Sequence, residues 1–204
     1  MGFLLPRSSE SDTSDDVPVV WRGLMVQKAV QQLLFDVDWR FAAGGDSSSP
    51  GLDVLVIDMP PGTGDVPLTL GQLVNVDGAV IVSTPQDVAL SDVRKGIAMF
   101  RKVGVPVTGL VLNQSYFLCP SCTTPHYLFG SSELFGATAQ KLGVPVLGEL
   151  PLVSGVSTGG DAGLPYGLVS DTGLQKTDGA GGLKWKETMK GIADKIWGSF
   201  AGTS

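Results

Sequence analysis

Cysteine and histidine are nearly missing from this chain. Its 204 residues hold two cysteines, Cys119 and Cys122, and one histidine, His126. Two thiols three positions apart cannot staple a fold, which excludes a disulfide-built secreted domain. A single imidazole excludes multi-histidine metal chemistry. No apolar run reaches the roughly 18 residues that a membrane-crossing helix needs. Basic charge is also short, with 14 Lys and Arg against 20 Asp and Glu and a net charge of −6. That disfavours a nucleic-acid binder that depends on a strong basic face. What is present is a globular composition, 43% hydrophobic and 17% charged. The 28 glycines and 13 prolines are many, but short of low complexity.

Met1–Pro6 is apolar but too short for a signal-peptide core, and no arginine-rich amphipathic stretch of the transit-peptide kind accompanies it. It reads as the end of a buried strand that runs into a Ser- and Asp-rich loop, residues 7–17. Helical spacing of Leu24, Ala29, Val30, Leu33 and Leu34 predicts a helix over Gly23–Phe35. Residues 42–50 read as a flexible insertion. Unbroken apolar runs predict strands at Asp53–Ile57, Gly78–Ser83, Val107–Asn113 and Val144–Leu150. Helices are expected at Val88–Val103, capped near Asp87 or Ser91, and at Ser131–Leu142, stopped by Gly143. Asp171–Gly182 reads as a polar, glycine-rich loop before a last helix, Lys186–Phe200. Buried runs alternating with helices predict an α/β fold, a three-layer parallel sheet with helices on both faces.

The strongest signal follows the first predicted strand: Ile57-Asp58-Met59-Pro60-Pro61-Gly62-Thr63-Gly64-Asp65. An acid at the carboxyl end of a parallel strand lies in the crevice where α/β proteins bind ligands. An apolar strand ending in Asp is the Walker-B arrangement, whose carboxylate orients Mg²⁺ through its waters. Two prolines stiffen the turn, and Gly62 and Gly64 permit close backbone approach or positive φ. A stiff hinge of this kind suits a nucleotide switch beside a γ-phosphate. The bland alternative is a strand ending at an exposed Asp that caps the next helix.

Asp58–Asp65 resembles the switch-II signature of the Mrp branch of MinD/ParA-type P-loop NTPases, iron–sulfur cluster carriers or scaffolds. Gly2–Leu5 with Val19–Gly23, and Ser83–Gly96, are similar to the family's flanking segments. So are Cys119-Pro120-Ser121-Cys122 with His126 and Phe129-Gly130, and the Asp161-x-Gly163-x-Pro165 segment. The resemblance spans residues 2–169. Leu24–Leu34 looks like the bacterial and mitochondrial members, and the mitochondrial branch is associated with complex I assembly. The resemblance therefore implies a mitochondrial matrix location, with the cytoplasm as the alternative. It implies Asp58 as the Mg²⁺-water carboxylate, Gly62 and Asp65 as switch-II residues, and Asn113 and Pro151 in an adenine pocket. An amide can donate to and accept from a purine edge. A strand-end turn is the plainer role for Asn113, and an ordinary surface ion pair the plainer role for Asp92 and Lys95.

Cys-x-x-Cys supplies half of the four ligands that Zn²⁺ or a [4Fe–4S] cluster wants. Either His126 joins, or a second subunit completes the site as Cys₄ across a two-fold axis. The resemblance implies the second arrangement, a homodimer bridged by a [4Fe–4S] cluster at Cys119 and Cys122 and serving iron–sulfur apoprotein clients. A redox pair, an intersubunit Zn²⁺ site and two inert thiols stay open beside it. A Gly-x-x-x-x-Gly-Lys-Ser/Thr motif is missing, so ATP with Mg²⁺ should bind weakly and be hydrolysed negligibly. The family places that loop upstream of Met1. The chain therefore reads as one partial domain, 1–204, shortened at its amino end by about 100 residues, roughly three βα steps. Poor stability of the isolated chain is the expectation. Rival readings are a MinD/ParA switch acting on membrane or DNA, and a degenerate metal-binding protein without ATPase activity. Neither stable membrane insertion nor nucleic-acid binding is expected of the leading one.

Overall fold

The computed structural model describes residues 23–39, 52–60, 62 and 64–201. The readings for residues 2–5, 7–17, 19–22 and 42–50 lie outside the described residues, as do Pro61 and Thr63. The chain divides into two compact units, Met1–Ile57 and Asp58–Ser204.

In the first unit, helix α1 spans Gly23–Phe35 as its periodicity predicts, with Ala29 and Val30 buried. The indole of Trp39 donates to the Leu34 carbonyl at 3.1 Å and closes the helix end. Residues 53–57 correct an expectation. They join no strand ladder among the described residues, and Val56 is 84% exposed. β-branched side chains favour an extended backbone, but only a hydrogen-bonded neighbour makes a strand.

The second unit begins with helix α2, Asp65–Leu73. Pro67 stands in its first turn, where no intrahelical N–H bond is lost. Three parallel strands follow: β1, Ala79–Ser83; β2, Val107–Leu112; and, later in the chain, β5, Val146–Glu149. Their order is β1-β2-β5, with β2 in the centre. Between β1 and β2 runs helix α3, Asp87–Lys102. It starts after Gln86, and no side chain caps it; Asp87 lies in its first turn and Ser91 inside it. Between β2 and β5 lie a short hairpin, β3 (Phe117–Leu118) with β4 (Pro125–His126), and helix α4, Glu133–Leu142. Gly143 ends α4 at φ 65°, a left-handed turn that glycine enters without strain.

Alternation along β2 sorts the core into two layers. Leu110 and Leu112 pack with Leu90, Val93 and Ile97 of α3 and with Phe135 and Ala139 of α4. Val111 faces the other way, into a cluster with Leu147, Tyr166, Leu174, Trp185 and Ile192. That second layer is made by helix α5, Ser154–Asp161, a 3₁₀ turn at Tyr166–Leu168, and helix α6, Asp171–Ala201. The sheet with helices on both faces is the expected α/β arrangement.

Helix α6 corrects a second expectation, because Asp171–Gly182 is helical and not a loop. Glycine lowers helix propensity, yet here it answers close packing. A β-carbon on Gly182 would stand 2.6 Å from the Tyr166 hydroxyl. Leu174 is fully buried, which ties this glycine-rich turn to the core. Only Gly179 leaves helical geometry, at φ 59°. Just before it, the Asp178 carboxylate takes the Ser154 N–H and hydroxyl, both at 2.8 Å, the Gly155 N–H at 3.0 Å and the Tyr166 hydroxyl at 2.7 Å. It thereby caps α5 from another helix. Burial pushes the Asp178 carboxyl up, but these hydrogen bonds outweigh it and hold the carboxyl below its ordinary 3.8. A depressed folded-state value means stability that is present above pH ~4 and lost as pH falls through the lowered value. Asp178→Ala should therefore cost about 1–3 kcal/mol in urea unfolding at pH 7. The difference from wild type should shrink towards pH ~2.

Candidate metal centre and nucleotide edge

The three parallel strands end on one side, the edge where α/β sheets bind ligands. Ser83 closes β1, and its carbonyl accepts the Asn113 N–H at 2.7 Å. Asn113 follows β2 directly. Its side-chain oxygen accepts the Gln114 N–H at 2.9 Å, so one face of the amide is already committed to a turn. Gln114 takes φ 54° and redirects the chain. Ser115, fully buried, donates its N–H to the Leu150 carbonyl at 2.9 Å and its hydroxyl to the Glu149 carboxylate at 3.1 Å. The Leu152 N–H reaches the Tyr116 carbonyl at 2.7 Å. Residues 115–116 thus lie along the end of β5, beside Pro151, which is completely buried. Asp58 is exposed, Gly62 is exposed at φ 95°, and Asp65 opens α2.

From Tyr116 the chain passes straight into the hairpin. Phe117 pairs with His126, and Leu118 with Pro125. Between them Cys119–Thr124 form a tight knuckle. The Cys119 N–H donates to the Thr124 carbonyl at 3.1 Å, and the Thr123 N–H returns to the Cys119 carbonyl at 2.8 Å. Thr123 adopts φ 55° to make that turn. Both thiols are free, Cys119 half-buried and Cys122 exposed. The Tyr116 and Tyr127 rings, with centroids 6.1 Å apart, brace the hairpin at its base.

A residue that spacing did not reveal is Thr124. Its hydroxyl lies 3.2 Å from the Cys122 sulfur. That contact first, then the Thr124 backbone, then the Cys119 side chain, lower the Cys122 thiol below its ordinary value of 9.0. A thiolate is the form of cysteine that binds metals, and the knuckle favours the thiolate. No group of three or more His, Cys, Asp or Glu gathers to hold a metal ion among the described residues. His126 does not gather with the two thiols among the described residues. Thr124→Val should raise the pH at which Cys122 becomes reactive, read as a slower alkylation by iodoacetamide at pH 7.5 in the metal-free, reduced protein. An unchanged rate at Cys122 would remove the threonine from the account.

Comparison with known proteins places the chain in a family. The family model for ParA, the NUBPL iron-transfer P-loop NTPases, matches residues 7–180. The "Iron-sulfur protein required for NADH dehydrogenase, mitochondrial" of Arabidopsis thaliana is 49% identical over 158 residues, 78% of this chain and 47% of its own length. The "Iron-sulfur cluster transfer protein NUBPL" of Mus musculus is 48% identical over 167 residues, 81% of this chain and 46% of its own. A solved nucleotide-binding protein from Archaeoglobus fulgidus, in complex with ADP, is 36% identical with a TM-score of 0.54, over 69% of this chain and 53% of that one. The chain spans about half the length of the curated relatives it matches. Its helix-covered parallel sheet and the match over most of its residues lead to one conclusion: the chain belongs to the NUBPL iron-transfer P-loop NTPase family.

Proposed function

We propose that this chain carries an iron–sulfur cluster, of the [4Fe–4S] type, between Cys119 and Cys122 of two identical copies, and releases it to iron–sulfur apoproteins. One observation carries the reading. Two free thiols stand together on an exposed, hydrogen-bonded knuckle, with no third ligand gathered beside them among the described residues. A cluster wants four thiolates, so a second pair must come from outside the chain. A two-fold axis through the knuckle supplies identical Cys119 and Cys122 from the partner copy. Such a site holds its cargo at the protein surface. Incoming thiolates of a client can then replace the four cysteines one after another. The name of the plant relative supports delivery to the mitochondrial NADH dehydrogenase, respiratory complex I, and that of the mouse relative supports cluster transfer.

The nucleotide side of the reading rests on family membership. Asp58 would orient a Mg²⁺-bound water, Gly62 and Asp65 would form the switch, and Asn113 with Pro151 would border adenine. With the Gly-Lys-Ser/Thr cradle missing from these residues, ATP binds the chain weakly and hydrolysis is negligible. The Ser115–Tyr116 stretch, hydrogen-bonded to Leu150 and Leu152, joins the Asn113 end of β2 to the knuckle.

Anaerobic reconstitution with iron and sulfide tests the proposal. It should give a broad charge-transfer absorbance and about two irons per chain, from four per dimer. Cys119→Ser and Cys122→Ser should each abolish both. Normal loading of either variant, or stoichiometric zinc in place of iron after reconstitution, would contradict it.

A further inference from the structure

The two cysteines of the knuckle are not equivalent. Cys119 is half-buried and Cys122 exposed. Cys119 follows strand β3 directly, and both of its backbone polar groups are bonded. Its N–H donates to the Thr124 carbonyl at 3.1 Å, and its carbonyl accepts the Thr123 N–H at 2.8 Å. Leu118, its neighbour, lies against helix α6, where a β-carbon on Gly181 would stand 3.9 Å from the Leu118 β-carbon. Cys122 instead occupies the turn of the knuckle. Its carbonyl accepts the Thr123 hydroxyl at 2.7 Å, and its sulfur lies 3.2 Å from the Thr124 hydroxyl. One cysteine is therefore fastened to the packed side of the hairpin. The other stands in solvent with a hydroxyl beside its sulfur.

We propose that the cargo leaves in a fixed order: Cys122 is the first ligand replaced by a client thiol and Cys119 the last, with Thr124 as the positioning residue that stabilises the departing Cys122 sulfur. This rests on the shared-cluster reading. A sulfur bound to iron shares its negative charge with the metal. As the iron–sulfur bond breaks, that charge gathers on the Cys122 sulfur. A deprotonated sulfur can only accept, so the Thr124 hydroxyl donates to it, and a hydrogen bond to an ionised partner is about twice as strong as one between neutral groups. The contact is thus stronger in the transition state than in the loaded state, which is the condition for raising a rate. Exposure supplies the other half, since an incoming thiol reaches the iron from the Cys122 side. The step balances without oxidant or reductant. A bond forms between the client sulfur and iron, and the bond between Cys122 and iron breaks. Its electron pair returns to Cys122, and the proton of the client thiol ends on the Cys122 sulfur. The same step on the second copy leaves the cluster on two client sulfurs and two Cys119 sulfurs, one from each chain. Cys119 then releases it.

The test loads the full 204-residue chain anaerobically with iron and sulfide and mixes it with a synthetic peptide bearing four cysteines. At half-transfer the mixture is quenched with excess N-ethylmaleimide, and the labelled cysteines are mapped by mass spectrometry. Emptied chains take two labels, so singly labelled chains report the intermediates. Single labels should stand on Cys122 about tenfold more often than on Cys119. Loaded chain without the peptide should take none. Thr124→Val should slow transfer, counted per loaded cluster, by about tenfold. It should also move the reduction potential of the cluster to more negative values, because hydrogen bonds to the sulfurs help to set it. Thr124→Ser keeps the hydroxyl and should restore both rate and potential, which a merely structural role for Thr124 would not link. If Thr124→Val does not load, the labels on wild type still decide the order. Single labels divided evenly, or gathered on Cys119, overturn the order. A wild-type rate in Thr124→Val, or equal slowing in Thr124→Ser, overturns the role of the threonine. The two readings part cleanly. Wild type that takes up no iron sinks the shared cluster and this order together. Wild type that loads as a dimer but divides its single labels evenly sinks the order alone. A cluster held on one chain, with its single labels still on Cys122, sinks the shared site and upholds the order.

Discussion

Strand β2 is hydrogen-bonded on both edges, to β1 and to β5, and buried on both faces. Its position is therefore fixed from four directions at once. Asn113 leaves its carboxyl end, Ser115 and Tyr116 are pinned to the end of β5, and the cysteine hairpin starts at the next residue. The knuckle is thus a short, tethered extension of the sheet's centre. Exposure of Cys122 does not leave it unplaced: the Thr123 and Cys119 backbone bonds and the Thr124 hydroxyl hold the thiol in a set position. On the proposed reading, a half-site that must meet its twin needs this kind of preorganisation, since mobility on each side would be lost on pairing and would weaken it.

Ligand number is the second constraint. Two thiolates cannot satisfy a tetrahedral metal or a four-iron cluster, and no third ligand gathers with them among the described residues. Under the reading proposed here, chemistry and assembly become the same event. Binding the cluster requires two chains, and the shared cluster in turn ties the two chains together. Coupling of this sort gives a carrier a physical means of release, because losing the cargo also dissolves the surface that held it.

Much of the sheet was legible because its signals are local. Leu110, Val111 and Leu112 are apolar in succession, the pattern of a strand buried on both faces, and they lie in two different core layers. Gly143 marked the end of α4, and its left-handed φ shows why. Two readings failed where a local pattern was ambiguous. Asp53–Ile57 has strand composition but no ladder partner among the described residues. Asp171–Gly182 has loop composition, yet Leu174 and the Gly182–Tyr166 contact make it helical, a packing effect that composition cannot show. The cysteine pair was visible from spacing alone. The threonine beside Cys122 and the carboxylate of Asp178 were not, since each acts through a contact set by the fold.

Native mass spectrometry of the anaerobically reconstituted chain addresses the central claim most directly. The account predicts a single dominant species containing two chains and one four-iron cluster, which separates into cluster-free monomers when a chelator removes the iron. A cluster retained on one chain, or a dimer that persists unchanged after the iron is gone, would contradict it.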